Sequence, residues 1–321
     1  MNVSSRRIVN RTPFSWTLAG VLFLCVLISP RAAQNTPSPR VIVISLDGAK
    51  PAVLKELVQR GRLPVLKSMM DAGCWTWSAQ TILPSSTLPS HISMLTGLLP
   101  EAHGVTWNSH KPEKGPLKVE TIFSVAKREG LRTAMVVGKP KLRLLDQPGM
   151  LDDDVLEEGD ARTVARTARQ VLRQKDPDLL FVHFAQADEA GHDWGWGDER
   201  TGTKASPQYQ KALEACDRAM GALRREIARS GRRGETLVIL TADHAGMGKN
   251  HGGDDPQETT IPWIASGALV AARGELKVPV KITDTAATAL AALGIPVPSG
   301  WTGTPVPCLR SSDGAVLRPA A

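Results

Sequence analysis

Between residues 41 and 46 the chain reads Val-Ile-Val-Ile-Ser-Leu, an almost unbroken β-branched and apolar run that stops at Asp47-Gly48. Apolar side chains at consecutive positions leave no polar face for water. The run therefore predicts a strand buried on both faces, as in a parallel sheet. Similar short runs recur at 133–137, 179–184 and 236–241. Between them the apolar positions move to helical spacing. Val53, Leu54, Leu57 and Val58 follow Pro51, a residue suited to the first turn of a helix, and amphipathic segments lie near 118–129, 160–175 and 207–230. A last helix is expected over 283–293, closed by Gly294 and the proline-rich exit 295–298. This alternation predicts an α/β fold, a three-layer αβα sandwich around a mostly parallel central sheet. No internal repeat and no linker after residue 40 is evident, so residues 41–321 are expected to form one domain.

The amino-terminal pattern is different. Residues 5–11 are basic, residues 16–29 are apolar, Ala32 and Ala33 are small, and a polar stretch runs over 34–40. That order predicts a signal peptide over 1–33, with an uncleaved anchor as the alternative because Arg31 lies three residues before a cut after Ala33. Export implies a periplasmic or secreted protein in an oxidising space. Cys74, Cys216 and Cys308 would then allow one disulfide at most, with its pairing open. The first 33 residues hold Arg6, Arg7, Arg11 and Arg31 and no acid, so of the net +7 the remainder keeps +3. Such a mild balance argues against a nucleic-acid duplex partner. The 42% apolar content excludes a disordered chain, and no run after residue 33 is long enough to span a bilayer.

Ligands of open α/β sheets collect at the carboxyl ends of the strands. Asp47, Asp188 and the pair Asp243-His244 stand at or just past three such ends. Asp188 and His192 are four apart, a spacing that presents both to one ion from a helix. The segment from Asp243-His244 to His251 is glycine-rich and supplies three ligands from nine residues. Pro89 fits a helix first turn and places Thr87 at the helix amino terminus, facing unpaired N–H groups. Thr87, Ser86 and Ser85 also suit a plain helix cap.

Together these pieces resemble the alkaline phosphatase superfamily, in its nucleotide pyrophosphatase/phosphodiesterase branch. The resemblance is carried by Ile-Ser-Leu-Asp-Gly (44–48), Thr-Leu-Pro-Ser-His and Leu-Thr-Gly-Leu-Leu-Pro-Glu-Ala-His-Gly-Val within 87–105, and Trp107-Asn108. It continues through Asp-Glu-Ala-Gly-His (188–192) and Thr-Ala-Asp-His with Asn-His-Gly (241–252). It implies an alkaline-phosphatase-like fold and two zinc ions, one held by Asp47, Thr87, Asp243 and His244, the other by Asp188, His192 and His251. Thr87 would be the nucleophile, forming a phospho-threonine that water then hydrolyses, and Asn108 would donate to a phosphoryl oxygen. A phosphodiester or nucleotide is the substrate implied. A phosphomonoesterase or phosphonate hydrolase on the same ions is the alternative, and a silent metal- or ligand-binding protein is the non-enzymatic one. Thr at position 87 and the lack of Cys-x-Pro-x-Arg disfavour a sulfatase.

Other residues carry weaker expectations. Lys139 or Lys141 would offset the extra charge of a monoester, and Trp107, Trp194 and Trp196 would either wall a pocket or simply pack. His91 and His103 would orient the nucleophile helix, His183 reads as a core histidine and His110 as a loop residue. The acids at 152–154 read as a solvated loop or helix start.

Overall fold

The structure, a computed structural model, describes residues 39–310. The leader expected over 1–33 lies outside the described residues. Eight strands form one sheet: β1 (Arg40–Leu46), β2 (Gly73–Gln80), β3 (Thr133–Val137), β4 (Asp153–Leu156), β5 (Leu179–Phe184), β6 (Thr236–Thr241), β7 (Thr260–Gly267) and β8 (Gly274–Glu275), in the order β4-β3-β5-β1-β6-β7-β2-β8. Only β7 runs against the others. The chain is an α/β three-layer sandwich. Helices Pro51–Gln59, Pro64–Ala72, Ala161–Lys175 and Pro207–Arg229 cover one face, and Thr87–Thr96, Ile122–Arg128 and Asp284–Ala292 the other. Every residue of β1, β3, β5 and β6 is buried, as their unbroken apolar runs require.

Three local differences from the sequence reading have physical causes. The acids at 153–154 belong to β4, an edge strand, where charge deters pairing with another chain. Strand β7 contains Pro262, which reads as a strand breaker. The β2–β7 ladder shifts register between Thr76, opposite Trp263, and Ala79, opposite Ile261, so the proline without an N–H sits at the bulge. Arg40, expected to end a polar linker, is instead the fully buried first residue of β1. Its guanidinium pairs with Asp176 and donates to the Pro177 carbonyl and Ser230 Oγ, both at 3.1 Å. Cys74 on β2 is bonded to Cys308, and Cys216 is buried and free.

The register levels the strand tips. Leu46 faces Phe184 on β5, and Ser45 faces Thr241 on β6. Asp47, the start of helix Gln186–Trp194 and Ala242-Asp243 therefore leave the sheet at one height.

Candidate active site

Four adjacent strands, β3, β5, β1 and β6, deliver Lys139, Asp188, Asp47 and Asp243-His244 in that spatial order. Asp188 lies in the first turn of its helix, where the helix dipole favours an acid. Thr87 is the first residue of helix Thr87–Thr96, and Ser86 before it makes no side-chain cap.

Each carboxylate has one satisfied oxygen and one orphan. Asp47 Oδ2 takes His183 Nε2 at 2.9 Å and Lys139 Nζ at 2.7 Å. Asp188 Oδ2 takes Lys139 Nζ at 2.5 Å, and Asp243 Oδ1 takes the Gly48 N–H at 3.1 Å. Their partners, Asp47 Oδ1, Asp188 Oδ1 and Asp243 Oδ2, are buried with no hydrogen bond among the described residues. All three point toward His244 Nε2, at 3.3, 3.9 and 3.3 Å respectively. Thr87 Oγ1 lies 3.5 Å from the same nitrogen and is 1% exposed. Asp188 Oδ1 also faces His192 Nε2 and His251 Nε2, each at 3.6 Å.

The histidines are oriented by their other nitrogens. His192, His244 and His251 donate Nδ1–H to the carbonyls of Lys249, Ala245 and Ser85, each at 2.9 Å. This leaves every Nε2 turned inward, the arrangement by which proteins fix histidines as ligands. Two donor sets result, Asp47, Asp243 and His244, and Asp188, His244 and His251, with donor atoms within 4.8 Å of one another in each set. His192 is at the rim, with its side chain 43% exposed, and belongs to neither compact set.

Three buried carboxylates beside one lysine leave an excess of negative charge. Burial alone would raise Asp47, but the Lys139 charge and the His183 and His244 imidazoles hold it well below the usual carboxylate range. Asp243 is pushed up to about 7 by burial and by the charge of Asp47. Burial would lower His244, yet Asp243 and Asp47 raise it to about 9. His251 is lowered to about 4 by burial and by the nearby charge of His244. Orphan oxygens, inward nitrogens and surplus negative charge fit divalent cations with nitrogen and oxygen ligands.

Substrate-side residues are placed differently from one another. Asn108 Oδ1 accepts from the Leu88 N–H at 2.9 Å and from Lys141 Nζ at 3.1 Å, so it braces the nucleophile helix. Lys139, expected to meet substrate, is held between Asp47 and Asp188. Trp107 is half-buried, with Lys114 Nζ 4.6 Å from its ring centroid. Trp196 is buried and Trp194 is 57% exposed.

His91, expected to orient the nucleophile helix, is bonded to its first residue, whereas the positioning roles of His183, Trp196 and Tyr209 were not legible in the sequence. His183 receives the Gly138 N–H on Nδ1 at 3.1 Å and therefore donates from Nε2 to Asp47. His91 donates Nδ1–H to the Thr87 carbonyl at 2.7 Å and accepts from Ser45 on Nε2. Trp196 Nε1 and the Tyr209 hydroxyl both donate to the Gly48 carbonyl at 2.7 Å and pin the turn after Asp47. The signal that was available is the pair of glycines, Gly191 and Gly246, in the metal-ligand motifs. A Cβ on either would stand 2.2 or 2.3 Å from the Trp196 ring.

The chain was compared with known proteins at the level of sequence and of fold. It is 24% identical over 243 residues to mouse (Mus musculus) ectonucleotide pyrophosphatase/phosphodiesterase family member 1, covering 67% of this chain and 25% of that one. It is 27% identical over 254 residues to the catalytic subunit of human (Homo sapiens) GPI ethanolamine phosphate transferase 2, covering 75% and 25%. The chain thus spans about a quarter of the length of these curated relatives. In fold it is similar to murine ectonucleotide pyrophosphatase/phosphodiesterase 5, an inactive form in complex with AMP (TM-score 0.68, 14% identity, 81% of this chain and 96% of that one). It is also similar to a 2-O GAG sulfatase (TM-score 0.64, 17% identity, 84% and 73%). The sequence model of the type I phosphodiesterase / nucleotide pyrophosphatase family matches residues 41–275, most of the chain, and the protein belongs to that family, on an alkaline-phosphatase-like fold.

Proposed function

We propose that the protein is an exported, zinc-dependent phosphoric ester hydrolase, a phosphodiesterase or nucleotide pyrophosphatase that works through a phospho-threonine on Thr87. The carrying observation is the ring of orphaned oxygens, Asp47 Oδ1, Asp188 Oδ1 and Asp243 Oδ2, beside the Thr87 hydroxyl. Asp47, Thr87, Asp243 and His244 would hold one zinc, and Asp188, His192 and His251 the other. The bound ions would lower the pKa of the hydroxyl and neutralise charge on the phosphoryl and leaving oxygens.

The chain's own residues supply the rest. Thr87 Oγ1 forms the bond to phosphorus while the bond to the leaving oxygen breaks, and water later frees the threonine. In the first turn of helix Thr87–Thr96 the Leu88 N–H is taken by Asn108, Pro89 has none and the Ser90 N–H is bonded to the Ser86 carbonyl, which leaves the Thr87 N–H for a phosphoryl oxygen. Asn108 uses its oxygen on Leu88 and Lys141, which leaves its amide N–H groups for a phosphoryl oxygen. The complex of a fold relative with AMP supports a small nucleotide substrate. The bond between Cys74 and Cys308 supports an oxidising, periplasmic or extracellular location.

One observation favours a monoesterase as the second reading: Lys141 stands beside Asn108, where a cation would offset a dianionic phosphate. Turnover of bis-p-nitrophenyl phosphate against the monoester separates the two. The purified protein is expected to carry close to two zinc ions and to prefer the diester. Thr87→Ser is expected to retain part of the rate, and Thr87→Ala to lose at least about a thousandfold. Full activity in Thr87→Ala, or in metal-free protein, would refute the proposal.

A further inference from the structure

Two grooves flank helix Pro207–Arg229, and neither shares a residue with the candidate active site. The first, about 760 Å³, has an apolar floor that includes Val65, Met69, Ile227 and Val238. It is lined by four arginines, Arg224, Arg225, Arg233 and Arg273, and by no acid. The second, about 510 Å³, is lined by five, Arg162, Arg166, Arg169, Arg218 and Arg225, over a floor of alanines. Its one acid, Asp160, is engaged as the cap of helix Ala161–Lys175, accepting from the Thr163 N–H. Arg225 lines both grooves, so the basic surface is continuous. A chain whose net charge after residue 33 is only +3 has gathered these guanidinium groups from several elements on both sides of that helix. Arg224 donates to the Val65 carbonyl, and apart from Arg169, which pairs with Glu226, none has a carboxylate salt-bridge partner among the described residues.

We propose that this face docks on the surface of an anionic phospholipid bilayer. Guanidinium forks match phosphate oxygens bidentately, and apolar floors beneath them suit the glycerol and upper acyl region of a lipid. The course of the chain supports the same occupant. Arg40, at the start of β1, hydrogen-bonds Ser230 at the carboxyl end of helix Pro207–Arg229. The apolar stretch 16–29 is joined to it by ten residues, 30–39, which reach at most about 35 Å. In the uncleaved-anchor reading of the leader, that chain length would limit how far the arginine face could stand from the membrane. The candidate active site opens at the carboxyl ends of the strands, and none of its candidate ligands lines either groove, although Gln186, which begins the helix of Asp188, borders the second.

The test is co-sedimentation of the full chain with vesicles of phosphatidylglycerol and of phosphatidylcholine, compared with a variant carrying Arg162→Gln, Arg166→Gln, Arg218→Gln and Arg225→Gln. All four side chains are exposed, and none is among the candidate active-site residues. The leader is common to both proteins, so its contribution cancels in the comparison. The preference for anionic over neutral vesicles is expected to fall at least about tenfold in the variant and to weaken with added salt in the parent, with bis-p-nitrophenyl phosphate hydrolysis unchanged. An unchanged lipid preference in the variant overturns the proposal. So does a parent protein that binds a short DNA duplex through these arginines while phosphatidylglycerol vesicles fail to compete, which would assign the face to nucleic acid.

Discussion

Lys139 shows how one side chain serves the candidate metal site. Its ammonium lies 2.7 Å from Asp47 and 2.5 Å from Asp188, and these two carboxylates hold its pKa above the ordinary lysine value despite the burial that would lower it. Lys139→Met removes the ammonium that Asp47 and Asp188 share. In chelator the variant is expected to lose about 3 kcal/mol of stability, and zinc should restore more stability to it than to the parent. Urea unfolding with and without zinc checks this, and equal zinc increments in the two proteins would count against the arrangement. His103 gives a separate acid response. Val105 N–H donates to its Nδ1 at 3.1 Å, so its proton lies on Nε2, toward Ser93 Oγ at 3.0 Å. Burial lowers its pKa to about 4 from 6.5. The unfolded chain therefore takes up a proton that the folded chain refuses. Its contribution is complete above pH 6.5 and is lost as pH falls toward 4. Between pH 7.5 and 5 the loss attributable to His103 is about 2 kcal/mol, and it should be absent from the pH dependence of His103→Gln.

At the scale of elements, the strand tips and their acids were legible because an apolar run that ends in Asp is a sharp signal. β3, β5 and β6 keep the bounds their hydrophobic runs suggest, and β1 gains only Arg40. β2 and β7 were illegible for a physical reason. Small and polar residues interrupt β2, and Pro262 is tolerated in β7 only because a bulge across the ladder removes the need for its N–H. Similarly, no local pattern tells that Trp196 would wedge between two glycines, since the contact joins helix Gln186–Trp194 to the loop after β6. That wedge makes Gly191→Ala a sharp test. The new methyl would meet the indole and displace the helix carrying Asp188 and His192, costing about 1–3 kcal/mol and most of the zinc affinity. Gly234→Ala, where a Cβ meets nothing within 4 Å, should change neither. Isothermal titration with zinc and thermal melts compare the two variants.

For the molecule as a whole, the site exists because four neighbouring strands end level, so its integrity follows that of the sheet. The Cys74–Cys308 bond ties β2 to the segment after helix Asp284–Ala292 across a sequence separation of 234. Replacing both cysteines by serine is expected to cost about 2–5 kcal/mol, read as a lower urea midpoint, with unchanged turnover because the bond lies far from Thr87. Cys216, buried and pushed up to about 12 by its apolar surroundings and by Asp217, should resist thiol reagents until the protein unfolds. The order of these three sulfurs along the chain has a consequence for biogenesis. A chain threaded amino end first into an oxidising space exposes Cys74 and Cys216 together before Cys308 has arrived. The early opportunity would thus be for the wrong partner, and burial of Cys216 on helix Pro207–Arg229 is the feature that would withdraw this thiol and leave Cys74 for Cys308.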